Sequence, residues 1–442
     1  MFDKMKFNFG KFRISSIIIL SLCLLMINSL TLIMKYSVVI RVAYIVGIVA
    51  YTLFVSKSLS FKTIEQKIWF SFLLYITASS IVMGNKDAMD MLFSMWCFSL
   101  ILIVNLDVDF YKRLIKAFNV FIFVFVLSMY INLVIPSLMT GPLNFFLLDP
   151  IKGNIAKETA AGVYSGLFAE KLAAAYGACI GFVFSYSQYL RKLKIKYLIL
   201  PLFYIAGIFL TGKRIATIIP IVIILVTLII NLRNKKIFKK VGKYLLALFI
   251  LLIIGAILVP QIRSVFDKVF AVVFSNSNTA EDLTSNRESL LWPLSLSMFV
   301  LNPIFGHGFC TYNSYVSFLY RASDSILSSW STNGHNIYLQ LLGETGIVGS
   351  LIIFSLFLCL LIGTIRLYKK IKDTDDKQLC VISLGIQIVF LLVGITENVF
   401  YVTAQLLTYI VALGIFIALQ KKYSSNRLVK KGEINQTVLN YI

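Results

Sequence analysis

Apolar runs long enough to cross a bilayer recur along most of the chain, and short polar turns rich in Lys and Arg separate them. The pattern predicts about twelve helices, at 14–34, 36–56, 67–84, 88–106, 114–136, 161–189, 197–212, 215–232, 243–262, 346–366, 378–397 and 400–420. One stretch breaks the rhythm. Residues 263–345 form a long polar segment between the ninth and tenth spans, and a long connection with structure of its own is usually functional. The expected fold is an all-α polytopic membrane protein with a long extracytoplasmic loop containing short amphipathic helices. Its expected units are 1–262 (helices one to nine), 263–345 (the loop), 346–420 (helices ten to twelve) and a cytoplasmic tail, 421–442.

Composition supports this pattern. Of the 442 residues, 59% are hydrophobic and 14% are charged, which excludes a soluble globular enzyme, a disordered chain and a coiled coil. The formal net charge is +22. With the N-terminus inside, this excess falls on the cytoplasmic segments and the outer segments balance near zero, as the positive-inside rule requires. Runs such as Lys235-Lys236 and Lys239-Lys240 therefore read as topology and contact with anionic membrane lipid, not as a nucleic-acid site. The N-terminus (Lys4, Lys6, Lys11, Arg13, then an apolar run) resembles a signal sequence. It lacks a small-x-small cleavage site and reads as a first span that stays. Five of the six cysteines lie in or beside apolar runs, so no disulfide framework or Cys-based metal site is indicated.

The long loop holds both histidines. Ser285 and Glu288 fit a capping box, and Leu290, Leu291, Leu294 and Met298 follow at helical spacing. This predicts an amphipathic helix over 285–301 at the membrane surface, bent near Pro293. Arg287 falls in its first turn, where a cation opposes the helix dipole unless an anion is bound there; the other reading is headgroup contact. Next comes Gly306-His307-Gly308. His307 either lines a site or is a hydrogen-bonding loop residue. Asn333-Gly334-His335-Asn336 then leads into a predicted helix carrying Tyr338, Leu339, Leu342 and Glu344, which Gly343 and Gly346 should break. At the start of that helix His335 would meet N–H groups that disfavour a cation, a setting that suits an imidazole general base.

Thr211-Gly212-Lys213-Arg214 forms a turn between two spans. Its two cations beside a helix N-terminus suit a phosphate, or else snorkel to the interface. Glu170 and Lys171 fall inside a predicted span and Glu397 near the end of another, where charges are costly without partners. No HExxH, phosphate loop or paired carboxylate is present in the outer segments, so no metal and no cofactor is expected.

Four elements, in order, resemble the bacterial O-antigen ligase and polymerase superfamily (Wzy-type polymerases and lipopolysaccharide ligases). They are Leu210-Thr211-Gly212-Lys213-Arg214, with Lys213 where the family commonly has Ser; Ser285-Asn286-Arg287 with Leu291-Trp292; Asn302-Pro303 to Gly308-Phe309; and His335-Asn336 to Gly346 and Gly349. The resemblance implies a donor glycan on undecaprenyl diphosphate and a glycan acceptor, with a chain-length regulator as a further partner. It implies that His335 is the base and that Arg214, Arg287 and Lys213 hold the diphosphate, with His307, Asn336, Tyr338 and Glu344 as candidate lining. It implies inverting, metal-independent transfer outside the bacterial inner membrane, with both termini cytoplasmic. Joining of O-antigen or capsule repeat units is the first expectation. Transfer of polymer to lipid A-core is the second. A transporter or flippase without chemistry is the third, although no inverted repeat is evident.

Overall fold

The computed structural model describes residues 14–27, 37–56, 58–140, 149–232, 234, 238–243, 290–319 and 333–439. These residues are helical, apart from turns and an isolated bridge between Leu59 and Val104. In chain order the helices are α1 (Ile14–Ile27), α2 (Ser37–Tyr51), α3 (Ile64–Val82), α4 (Met89–Ile103), α5 (Val108–Val134), α6 (Pro136–Thr140), α7 (Asp149–Ala160), α8 (Lys171–Lys192), α9 (Ile199–Leu210) and α10 (Arg214–Ile230). They continue as α11 (Trp292–Leu301), α12 (Tyr312–Leu319), α13 (Ile337–Lys370), α14 (Thr374–Val393) and α15 (Thr403–Leu439).

By length and composition, five helical stretches among the described residues suffice to cross a membrane: 39–56, 108–134, 337–370, 374–393 and 403–424. Five shorter apolar helices accompany them, α1, α4, α10, α11 and the stretch 195–210. The chain is an all-α polytopic membrane protein. The expected ninth span, 243–262, lies almost wholly outside the described residues.

Burial sorts the helices. Of the α15 window 89% is buried in the bundle and of α14 78%, against 28% for 39–56. An apolar helix buried on all sides is a core element; one buried on a single stripe faces lipid. α14 packs on α8 and α15, and α13 packs on α3 and α11.

Local sequence starts these helices where polar side chains satisfy the first free N–H groups. Thr63 and Gln66 close a capping box on α3, Asp107 accepts from Phe110 N at 2.8 Å, and Asp373 accepts from Asp375 N and Asp376 N. Glu170 is the N-cap residue of α8 and Lys171 its first residue. The predicted span 161–189 therefore starts ten residues later than expected (171 against 161), and this pair stands at a helix end, not within a helix.

α13 is broken at Gly346 (φ 60°), where the chain takes a conformation that favours glycine. The 302–308 turn repairs the break. Ile347 N donates to Pro303 O (2.8 Å), Val348 N to Ile304 O (3.2 Å), His307 N to Gly343 O (3.2 Å) and Gly308 N to Glu344 O (2.8 Å). A Cβ on Gly306 or Gly346 would collide with the facing backbone, so two glycines permit this contact. Gly343 does not break the helix as expected. It is helical and lets α11 approach at Ser295 and Met298. Pro293 stands in the first turn of α11, a position that tolerates proline; the expected helix before it, from 285, lies mostly outside the described residues.

Candidate functional site

His335 lies just before α13 rather than within it. Its φ is 48°, and the N-cap is Asn336, whose side chain accepts from Tyr338 N (3.0 Å) and Leu339 N (3.1 Å). Gly334 N donates to Gln340 Oε1 at 2.9 Å, folding the turn back on its own helix. Two bonds then fasten the start of α13 to the end of α14. Ile337 N donates to Gly394 O (2.9 Å), and Tyr338 OH donates to Leu391 O (2.8 Å). The turn that follows α14 carries Glu397, so these bonds bring it beneath His335.

The result is a three-residue cluster. His335 Nδ1 lies 3.1 Å from Glu397 Oε2, and Lys213 Nζ lies 2.7 Å from Glu397 Oε1. Lys213 comes from the α9–α10 turn. There Thr211 caps α9, Gly212 adopts φ 62°, and Lys213 N donates to Thr211 Oγ1 at 3.3 Å. Tyr164 N donates to Leu210 O (3.0 Å), which docks the 161–170 loop, and with it Glu170, on that turn.

Accessibility orders the cluster. The Glu397 side chain is 4% accessible, Lys213 18% and His335 35%. The carboxylate is underneath, where a lone charge would be costly, and two partners meet its two oxygens. The imidazole reaches outward. With Nδ1–H donating to the carboxylate, Nε2 of the neutral ring is left as an acceptor, and no hydrogen bond occupies it among the described residues. Such a nitrogen can receive a proton from an incoming hydroxyl.

Residues 199–354 match the family model described as O-antigen ligase. That match supports the O-antigen ligase/polymerase superfamily. A search of curated proteins returned no match. The matched family implies a membrane glycosyltransferase-like enzyme acting on lipid-linked glycans.

The matched segment contains Lys213, Arg214, His307 and His335, whereas Glu397 and Glu170 lie outside it. Arg214 is the first residue of α10, half-buried beside Lys213. Arg287 lies outside the described residues. His307 makes hydrogen bonds within its loop. Its Nε2 is 3.0 Å from Met298 O, and Asn302 Nδ2 reaches Nδ1 at 3.3 Å. Asn336 and Tyr338 hold the turn through the bonds above. Glu344 is fully buried and accepts from Cys310 N (2.8 Å), Tyr312 N (3.1 Å), Gln340 Nε2 (3.0 Å) and Tyr401 OH (2.7 Å), which joins the 310–312 turn to α13.

His335 stands immediately before the N-cap of α13, and the structure adds a carboxylate, Glu397, to that setting. The sequence marked Glu397 only as a charge that needs a partner. The partners stand 62 and 184 residues away, a separation no local pattern reveals.

Glu170 stands nearby. Its carboxyl is raised above the ordinary carboxylate range, first by the protein packed around it. Lys213 opposes this, and Glu397 and Glu158 add to it. The residue as a whole keeps solvent contact, which screens these interactions. Among the described residues no group of three or more His, Cys, Asp and Glu is arranged to hold a metal ion.

Proposed function

We propose that the chain is a polysaccharide polymerase that joins undecaprenyl-diphosphate-linked repeat units of O-antigen or capsule on the outer side of the plasma membrane. The observation that carries this reading is the His335–Glu397–Lys213 cluster, which unites the Thr211–Arg214 turn with the His335 turn of the superfamily. An acceptor sugar hydroxyl attacks the anomeric carbon of the donor. The bond from that carbon to the diphosphate oxygen breaks, and the lipid diphosphate leaves with the electron pair. The hydroxyl proton passes to Nε2 of His335. Glu397 positions the ring and faces the imidazolium that forms. Arg214 and Arg287 bind the diphosphate and offset its developing charge, and one displacement inverts the anomeric centre. Lys213 fits a different role from the one first expected, because its ammonium is engaged by Glu397.

On this reading residues 263–345 form the extracytoplasmic catalytic segment, with 1–262 and 346–420 in and around the membrane and 421–442 cytoplasmic. The ligase reading stands second, favoured by the description of the matched family.

The test is reconstitution. Purified protein given a lipid-diphosphate repeat unit yields a ladder of products if it is a polymerase; transfer to lipid A-core without a ladder would favour the ligase. EDTA leaves the rate within about twofold. Arg287→Lys lowers turnover by about tenfold or more, because a point charge replaces a planar fork; unchanged turnover and donor affinity would remove Arg287 from the site.

A further inference from the structure

α13 runs 24 residues beyond its break at Gly346, from 347 to 370, a length of roughly 36 Å. His335 precedes one end. At the other, α13 meets the start of α3 and the later part of α15, and a cavity of about 540 Å3 opens between them.

Two kinds of polar group line this cavity. Glu65 is 4% accessible, and its Oε2 has no hydrogen-bond partner among the described residues. Gln420 presents a second buried oxygen, Oε1, also without a partner among them. The neighbouring Gln66 shows what a satisfied side chain looks like here: its amide bonds Thr63 N, Ser60 O and Leu102 O. The other group is cationic. Arg366 and Lys370, on the last turns of α13, line the same cavity and are exposed. Ile64 and Phe416 add apolar wall.

Buried acceptors without donors are rare and costly, and a carboxylate oxygen more so than an amide. A primary ammonium answers both, since it brings N–H donors and a positive charge. Arg366 and Lys370 ask for the opposite, an anion. One ligand meets both demands if it is a zwitterion with an amine at one end and a phosphate at the other. The cavity opens where spanning helices end, which is headgroup level, and its apolar wall suits the start of acyl chains.

We propose that this cavity binds the headgroup of an aminophospholipid, phosphatidylethanolamine, with its ammonium at Glu65 and Gln420 and its phosphate at Arg366 and Lys370. Phosphatidylglycerol lacks the ammonium. Phosphatidylcholine carries the charge but presents methyl groups in place of N–H donors. The site is independent of the chemistry at His335.

The full chain, purified in detergent, is incubated with phosphatidylethanolamine, phosphatidylcholine or phosphatidylglycerol, and retained lipid is counted by native mass spectrometry. Phosphatidylethanolamine is retained at least fivefold over the other two. Glu65→Gln and Arg366→Ala each reduce that preference to less than twofold. Equal retention of phosphatidylcholine, or an undiminished preference in Glu65→Gln, overturns the proposal. Soluble glycerophosphoethanolamine binding as tightly as the lipid overturns the assignment to a lipid. If Glu65→Gln fails to fold, the three-lipid comparison on the unaltered chain decides alone.

Discussion

Both histidines sit beside glycines in turns at the same end of α13, yet they are bonded differently. His307 Nε2 meets the Met298 carbonyl at 3.0 Å, and the Asn302 amide nitrogen lies 3.3 Å from each ring nitrogen. Its ring also packs near Tyr315 at 5.3 Å between centroids. His335 spends one nitrogen on a carboxylate and keeps the other. A glycine-flanked histidine is thus no site by itself. A main-chain carbonyl fixes a ring in place, whereas a buried carboxylate fixes it and also stabilises the charge gained with a proton.

Substitution at the two positions breaks the comparison most directly. His335→Ala lowers turnover by about 10²- to 10⁴-fold while expression and thermal stability stay near those of the unaltered protein. His307→Ala keeps turnover within about threefold and costs about 1–2 kcal/mol of stability through its lost hydrogen bonds. Transfer assays and thermal unfolding on both variants check this; full activity in His335→Ala would end the assignment of the base.

The next effect sharpens the role of the carboxylate. Glu397→Gln lowers kcat by roughly 10²-fold or more with little change in the donor KM, because an amide no longer dictates which ring nitrogen carries the proton. Glu397→Asp recovers part of the rate. A purely structural Glu397 would instead show equal losses in the two variants, tracking their unfolding temperatures.

The smallest effect concerns Glu170. Its carboxyl is raised in the folded protein, so the folded state binds the proton more tightly than the unfolded state. That contribution is fully present below the ordinary carboxylate range and is lost as pH rises through the raised value. Glu170→Gln removes the loss, so the variant gains stability relative to the unaltered chain as pH rises through this window. Solvent contact keeps the gain small. Unfolding temperatures across the acid range check the sign, and a relative loss would mean that the attraction of Lys213 prevails.

The helices were largely legible because hydrophobic runs and caps are local. The spans predicted at 67–84, 88–106 and 215–232 correspond to Ile64–Val82, Met89–Ile103 and Arg214–Ile230. The 161–189 span was misjudged because the apolar residues of a docked loop read like the start of a helix. The polar run before residue 337 announced an N-cap, and Asn336 supplies it. Hydropathy started the tenth span at 346, yet α13 begins at Ile337, because the 302–308 turn satisfies the broken backbone at Gly346. Glu344 sits within the family signature, and its four hydrogen bonds, unreadable from the sequence, join the 310–312 turn and Tyr401 to α13.

Sequence alone determined the membrane class, the order of the helices, the family resemblance and the two histidines, since each depends on residues close together in the chain. Tertiary structure decided which histidine meets a carboxylate, that Lys213 turns toward Glu397, and that Glu65 and Gln420 share one cavity. Those outcomes depend on which helix ends pack side by side, and burial then makes every charge or polar group there find a partner or stand without one.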